Sequence, residues 1–122
     1  MRKILIADDD SLLTKSLEIR FQNDFEVKVI HEGSSATDVV LEYDPCVMLL
    51  DIMLPGKNGI EILKELKEKK PDMIPCMVMM TSLDDTNFLA EALELGVKHY
   101  VHKDTSGPEH VAEIVNQIAG CK

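Results

Sequence analysis

The sequence predicts an α/β domain, a (βα)₅ fold with five parallel strands in one sheet and helices on both of its faces. Five short apolar runs alternate along the chain with longer segments of helical period, and this alternation is typical of repeated strand–helix units. The 122 residues are 45% apolar and 29% charged, which is ordinary for a globular protein of one domain. We therefore expect a single domain over residues 1–122.

The apolar runs are the predicted strands, and they are too short for typical helices. The run Cys46–Leu50 contains no polar residue, as expected of a strand buried on both faces of a parallel sheet. The five runs are Ile4–Ala7, Phe25–Ile30, Cys46–Leu50, Pro75–Met80 and Val97–Val101.

Apolar residues three or four positions apart predict a helix after each strand. The last of these helices begins near Ser106 and Glu109, which have capping-box spacing, with Pro108 in the first turn, and it ends near Gly120. The five stripes are Leu13, Leu17 and Phe21; Ala36, Val39, Val40 and Tyr43; Ile60, Leu63 and Leu66; Phe88, Leu89, Ala92 and Leu93; and Val111, Ile114, Val115 and Ile118.

The charge of the chain limits the classes of partner. With 22 acidic and 13 basic residues the formal net charge is −9, whereas direct nucleic-acid binding needs a cationic surface. The partners are therefore expected to be proteins.

The first apolar run is too short for a signal peptide, and no run is long enough to span a membrane. The cysteines are odd in number, and Cys46 and Cys76 lie in apolar runs where reduced thiols are expected, so we expect a cytoplasmic protein.

Polar side chains follow the predicted strands at their carboxyl ends, where open parallel sheets bind ligands. Asp8, Asp9 and Asp10 follow the first run and Asp51 follows the third. Thr81 and Lys103 follow the fourth and fifth runs. Carboxylates held close together repel each other unless a cation binds them, and Mg²⁺ shares its coordination sphere readily with a phosphate.

These residue types indicate phosphoryl transfer to a carboxylate. Asp51 is the expected nucleophile, because its strand fixes its orientation and a carboxylate can form an acyl phosphate. Lys103 and the metal would place positive charge on the phosphoryl oxygens, and Thr81 would donate a hydroxyl. A phosphate-ester hydrolase is disfavoured, because such enzymes usually need a second aspartate two residues after the nucleophile and Met53 occupies that position.

Four segments resemble receiver domains of the response-regulator family, and together they extend over nearly the whole chain. The segment Leu49–Gly59 resembles the family's acceptor strand and loop and is the most specific match. Ile4–Asp10 resembles the first strand with its acidic pair, Met79–Ser82 the strand with the switch hydroxyl, and Tyr100–Lys103 the aromatic residue three positions before the lysine.

The resemblance implies a flavodoxin-like strand order of 2-1-3-4-5 and a signalling switch rather than an enzyme. It implies that Asp8, Asp9, Asp51 and the backbone carbonyl of Met53 hold Mg²⁺. A histidine kinase or phosphotransfer protein would phosphorylate Asp51, Thr81 would move inward, and Tyr100 would follow it. The fourth helix, fifth strand and fifth helix would then present a changed surface to a downstream protein, and homodimer formation on phosphorylation stays open.

The chain departs from the family pattern at three points. Asp104 stands where the family usually has proline after the lysine, so we expect a trans peptide bond there. Met53 and Leu83 occupy positions that tune the lifetime of the phosphoryl group in the family, and since neither side chain can orient water, we expect slow self-dephosphorylation. No output domain is expected within the chain. A binding module that works without phosphorylation is the alternative, and Asp104 is the residue that keeps it open.

Overall fold

The computed structural model describes residues 1–118, apart from the side chain of Leu83. One sheet contains five parallel strands in the order β2-β1-β3-β4-β5. Both the parallel pairing and the strand order confirm the prediction. The strands are β1 (Arg2–Ala7), β2 (Phe25–Ile30), β3 (Val47–Asp51), β4 (Met77–Thr81) and β5 (His99–His102).

A helix follows every strand, as the stripes predict. Contacts between helices place α1 beside α5, and α3 beside both α2 and α4, so the two groups cover the two faces of the sheet. None of these helices has the length and apolarity that crossing a membrane requires, within the described part of the chain. The helices are α1 (Ser11–Phe21), α2 (Ala36–Tyr43), α3 (Gly59–Lys69), α4 (Thr86–Glu94) and α5 (Pro108–Ile118).

Local sequence explains where the helices next to the acidic residues begin. The carboxylate of Asp10 accepts hydrogen bonds from the first backbone N–H groups of α1. Asn58 and Glu61 form a capping box at the start of α3, directly after the loop that follows β3. Helix α5 opens with Pro108, as predicted, whereas its predicted end near Gly120 lies outside the described residues.

The central strands form the core of the protein. All five residues of β3 and all five of β4 are buried, and the last four residues of β1 are too. Side chains held between two layers of helices cannot turn toward solvent. The polar residues at the ends of these strands therefore have fixed positions at one edge of the sheet.

The predicted fourth strand is wrong at its beginning. Pro75 and Cys76 belong to a 3₁₀ segment, Pro71–Cys76, and β4 begins only at Met77. The segment still buries Met73 and Ile74. A short apolar run has no period that separates a strand from a tight helical turn, and proline cannot donate a ladder hydrogen bond.

The cysteines correct a second expectation. Cys46 and Cys76 are both buried, as their apolar neighbours predict. Cys76 is disulfide-bonded, however, so the prediction of a reduced thiol is wrong at that position. Cys121 lies outside the described residues. The cysteines thus give no support to a reducing compartment, and the cytoplasmic location remains a prediction.

Candidate functional site

Three of the predicted carboxylates meet at the carboxyl ends of β1 and β3. One oxygen from each of Asp8, Asp9 and Asp51 lies within 4.8 Å of the others. Asp8 is 0% exposed and Asp51 is 3% exposed, whereas Asp9 reaches solvent. The ends of two neighbouring strands therefore hold two buried carboxylates and one accessible carboxylate in a single cluster.

Backbone contacts fix the β1 side of this cluster. The backbone N–H of Asp10 donates to Oδ1 of Asp8 at 2.8 Å, and the carboxylate of Asp10 caps α1. The ring nitrogen Nδ1 of His31 lies 3.0 Å from the backbone oxygen of Asp8. Asp10 is thus engaged in the cap of α1.

Lys103 places one positive charge beside two of the carboxylates. Its ammonium nitrogen lies 2.9 Å from Oδ2 of Asp8 and 3.4 Å from Oδ2 of Asp51. Burial disfavours the charge, but the two carboxylates outweigh that effect and hold the pKa of Lys103 above its usual value. The backbone N–H of Lys103 also donates to the carbonyl of Thr81 at 2.8 Å, so the end of β4 sets the position of the lysine.

The carboxyl group of Asp51 has an unusual proton affinity. Burial and the neighbouring charge of Asp8 raise the pKa of Asp51 to about 6, although Lys103 and the backbone N–H of Met53 oppose the shift. The N–H of Met53 donates to Oδ1 of Asp51 at 3.2 Å. At neutral pH Asp51 is therefore largely ionised and can act as a nucleophile, but it lies in surroundings that favour added positive charge.

The donor set of the cluster suits a hard divalent cation. Oδ2 of Asp8 is buried and accepts no hydrogen bond from any residue that the structure describes. Lys103 approaches this oxygen, but without the geometry of a hydrogen bond. The single positive charge of Lys103 does not balance three clustered carboxylates, and carboxylate oxygens are the ligands of Mg²⁺ and Ca²⁺. Asp8, Asp9 and Asp51 therefore fit the predicted metal, whereas a ligand role for the Met53 carbonyl stays a prediction.

The predicted switch hydroxyl, that of Thr81, lies at the end of β4, the strand that pairs with β3. Thr81 is 1% exposed and donates its hydroxyl to the carbonyl of Ser82 at 3.0 Å. The backbone N–H and the hydroxyl of Ser82 donate in turn to Oδ2 of Asp85, at 3.0 and 2.9 Å. The hydroxyl of Thr81 is thus held by the loop that follows β4, not by the acidic cluster.

Tyr100 lies two residues before the end of β5 and turns partly to solvent. The residue is 42% exposed, and its ring meets the ring of His102 edge to face, with centroids 5.8 Å apart. Tyr100 pairs in register with Met79, and His102 pairs with Thr81. Tyr100 therefore has solvent on one side and β4 on the other.

The loop after Asp51 is held at several points by residues of other segments. The backbone N–H of Gly33 donates to the carbonyl of Pro55 at 2.8 Å. Lys57 donates to one carboxylate oxygen of Glu65 at 2.6 Å, and the hydroxyl of Thr37 donates to the other at 2.5 Å. One carboxylate on α3 therefore joins this loop, residues 52–58, to α2, and we call the loop the acceptor loop.

A cavity of about 340 Å³ opens above the acidic cluster. Asp51 and Lys103 lie among its walls, and Met53 and Asp104 lie at its mouth with exposed side chains. The peptide bond before Asp104 is trans, as predicted. The side chain of Leu83, the second predicted lifetime residue, lies outside the described residues.

The structure brings most of the predicted site residues together and adds several that the sequence did not reveal. Asp8, Asp9, Asp51 and Lys103 form one cluster, and Thr81 and Tyr100 lie on the neighbouring strands β4 and β5. The residues that sequence reasoning missed are His31, Gly33, Lys57, Glu65 and Asp85. Of these, only Asp85 could have been found from the sequence, because Ser82 and Asp85 have the spacing of a capping box.

Comparison with known proteins agrees with this geometry. A family model for the response regulator receiver domain matches residues 4–116. The receiver domain of the Francisella response regulator 1452 has a TM-score of 0.86 and 25% identity, with 99% of this chain and 98% of that chain covered. A LuxR-family DNA-binding response regulator from Staphylococcus aureus has a TM-score of 0.84 and 27% identity, with 98% and 99% covered.

A third solved structure agrees in fold alone. The CheY-like receiver domain protein from Methanospirillum hungatei has a TM-score of 0.88 and 22% identity, with 98% of this chain and 94% of that chain covered. The family model accounts for all five strands, apart from the first residues of β1, and for the carboxylates at their ends. The chain therefore belongs to the response regulator receiver domain family.

Proposed function

We propose that this receiver domain is a switch that accepts a phosphoryl group on Asp51 in a Mg²⁺-dependent reaction. The observation that supports this proposal best is the buried carboxylate of Asp51, within 4.8 Å of oxygens of Asp8 and Asp9 and 3.4 Å from the ammonium group of Lys103. A nucleophile, a metal-ligand set and a fixed positive charge are the parts that phosphoryl transfer requires.

The reaction needs little covalent chemistry from the protein. An oxygen of Asp51 forms a bond to phosphorus, the bond between phosphorus and the donor's leaving group breaks, and the leaving group departs with that electron pair. The product is an acyl phosphate on Asp51. Lys103 supplies positive charge next to the transferred oxygens. Mg²⁺ held by Asp8, Asp9, Asp51 and the Met53 carbonyl supplies further charge when it is bound.

Phosphorylation would change the surface of the protein through Thr81 and Tyr100. The hydroxyl of Thr81 would leave the carbonyl of Ser82 and donate to the new phosphoryl group, since a charged acceptor makes the stronger hydrogen bond. Tyr100 would then turn from solvent toward the space beside Thr81. The surface formed by α4, β5 and α5 would carry this change to a downstream protein.

The remaining parts of the proposal concern the partners of the protein and its location in the cell. A histidine kinase or a phosphotransfer protein supplies the phosphoryl group, in the cytoplasm. Direct nucleic-acid binding is not proposed, because the net charge of the chain is −9. The alternative is a protein-binding module that works without phosphorylation, and the observation that favours it is the carboxylate of Asp104 at the mouth of the cavity.

Intact mass after incubation with acetyl phosphate tests the proposal. We expect the wild type to gain one phosphoryl group with Mg²⁺ and none with EDTA. Asp51→Asn removes the nucleophile and is expected to gain none in either buffer. Asp84→Asn is the control, because it makes the same change at an exposed aspartate and should behave as the wild type. The absence of any adduct on the wild type would favour the phosphorylation-independent module.

The phosphorylated protein is expected to lose its phosphoryl group slowly. Met53 is 50% exposed and apolar, so it cannot hold an attacking water near Asp51. Decay of the phosphorylated mass after removal of the donor should take minutes or longer. Met53→Asn introduces a polar amide and should shorten the half-life several-fold, whereas Met53→Leu should leave it unchanged. A wild-type half-life of seconds without a phosphatase would contradict this prediction.

A further inference from the structure

The mouth of the cavity above Asp51 carries more negative charge than the acceptor chemistry needs. The carboxylates of Asp8, Asp9 and Asp51 are offset by the single charge of Lys103 and the double charge of the metal that they fit. Three further aspartates line the cavity and are not offset in this way: Asp10, Asp85 and Asp104. A phosphoryl donor that enters the cavity therefore meets a negative rim.

Two of these three aspartates have structural roles. The carboxylate of Asp10 accepts the N–H groups of Leu12 and Leu13 at the start of α1. Asp85 is 7% exposed and accepts both hydrogen bonds from Ser82. One oxygen of each carboxylate is already engaged, and a substitution at either position would break a cap.

Asp104 differs from both. Its side chain is exposed and makes no hydrogen bond or ion pair with the rest of residues 1–118. It follows Lys103 directly and lines the same cavity. Its charge therefore acts on what enters the site, and nothing in the described fold depends on it.

We propose that Asp104 is a specificity-determining residue that selects against small polyanionic phosphoryl donors. This inference rests on the proposed function of Asp51. A negative charge at the mouth of a cavity lowers the local concentration of a dianion, and the effect weakens as salt screens it. A donor whose leaving group carries positive charge is repelled less. The favoured class is thus a phosphoryl group on a protonated nitrogen, and the disfavoured class is an acyl phosphate dianion.

Two small donors separate these classes. With acetyl phosphate, the bond from phosphorus to the acyl oxygen breaks and acetate leaves with the electron pair. With phosphoramidate, the bond from phosphorus to the protonated nitrogen breaks and ammonia leaves with the electron pair. Both reactions give the same acyl phosphate on Asp51, so a difference between them reports on entry and reaction of the donor, not on the product.

The experiment measures initial rates of phosphorylation by intact mass with both donors, at saturating Mg²⁺ and at low and high salt. Asp104→Asn is expected to raise the rate with acetyl phosphate about two- to fivefold at low salt, with a smaller gain at high salt. The rate with phosphoramidate should change much less. Glu94→Gln is the matched control, because it removes the same charge from an exposed residue at the far end of α4 and should change neither rate.

The possible outcomes are distinct. Equal changes with the two donors, or no change with acetyl phosphate at low salt, would overturn the selection by Asp104 while leaving the acceptor function intact. If Glu94→Gln raises the rate with acetyl phosphate as much as Asp104→Asn does, the effect comes from net charge, and the selection by Asp104 is overturned. The absence of an adduct from either donor on the wild type would contradict the acceptor function and this inference with it.

Discussion

Gly33→Ala is expected to lower the free energy of unfolding by about 3 kcal/mol, at the upper end of the usual cost of overpacking. A Cβ atom at this position would lie 1.8 Å from the backbone oxygen of Lys57 and 2.7 Å from its carbonyl carbon. A backbone atom cannot rotate away as a flexible side chain can. Relief of the clash must separate the loop around Gly33 from the acceptor loop, and this movement also weakens the hydrogen bond from Gly33 to Pro55.

Urea denaturation of the metal-free protein measures this effect, and Gly107→Ala is the matched control. A Cβ atom at Gly107 meets nothing within 4 Å, so the same substitution there should change stability by no more than about 0.5 kcal/mol. Gly33→Ala should also slow the phosphorylation of Asp51, because Met53 and its neighbours belong to the displaced loop. Equal stabilities for the two variants would contradict the close approach of Gly33 to Lys57.

Asp51→Asn is expected to raise the free energy of unfolding of the metal-free protein at neutral pH. The pKa of Asp51 rises from 3.8 to about 6 on folding, mainly through burial and the charge of Asp8. A shift of this size corresponds to about 3 kcal/mol, and because solvent in the cavity screens the charges, we expect a gain of about 1 to 2 kcal/mol. The ionised carboxylate thus destabilises the fold, and the neutral amide does not.

The sign of the pH dependence follows from the same shift. Because the folded protein binds the proton of Asp51 more tightly than the unfolded chain does, the wild type should lose stability as the pH rises from about 4 to about 6, and the contribution should then stay constant. The difference in the free energy of unfolding between the wild type and Asp51→Asn should therefore be small near pH 4 and should reach its full size above about pH 6. Urea denaturation across this range in EDTA checks the prediction.

Two controls separate this effect from a general loss of negative charge. Asp84→Asn changes an exposed aspartate in the same way and should alter stability by less than about 0.5 kcal/mol. Excess Mg²⁺ should stabilise the wild type and leave Asp51→Asn almost unchanged, because binding to the folded state alone raises stability. A variant no more stable than the wild type in EDTA would contradict the raised pKa.

The sequence was sufficient to predict the strand order through the family resemblance, and the acidic cluster through the strand ends. Both depend on strong signals, namely wholly apolar runs such as Cys46–Leu50 and the acidic residues that follow them. The beginning of β4 was not predictable in the same way. Pro75 and Cys76 continue an apolar run, and only their tertiary surroundings place them in a 3₁₀ segment.

The residues that hold the site in position were less predictable than its reactive groups. In the sequence, Glu65 is one of several charges on a helix that is expected to face solvent. In the structure its two carboxylate oxygens accept hydrogen bonds from Lys57 and Thr37. Gly33 has no sequence feature that indicates its contact with Lys57. These roles arise from contacts between residues far apart in the chain, and a single sequence carries no direct record of such contacts.

The attachments of the acceptor loop give the site a mechanical asymmetry. On one side, the backbone of Gly33, the carboxylate of Glu65 and the capping box at Asn58 all restrain the loop. On the other side, Ser82 donates two hydrogen bonds to Asp85 within the segment that follows β4. If Asp51 accepts a phosphoryl group as proposed, we therefore expect the segment after β4 to move more than the acceptor loop does.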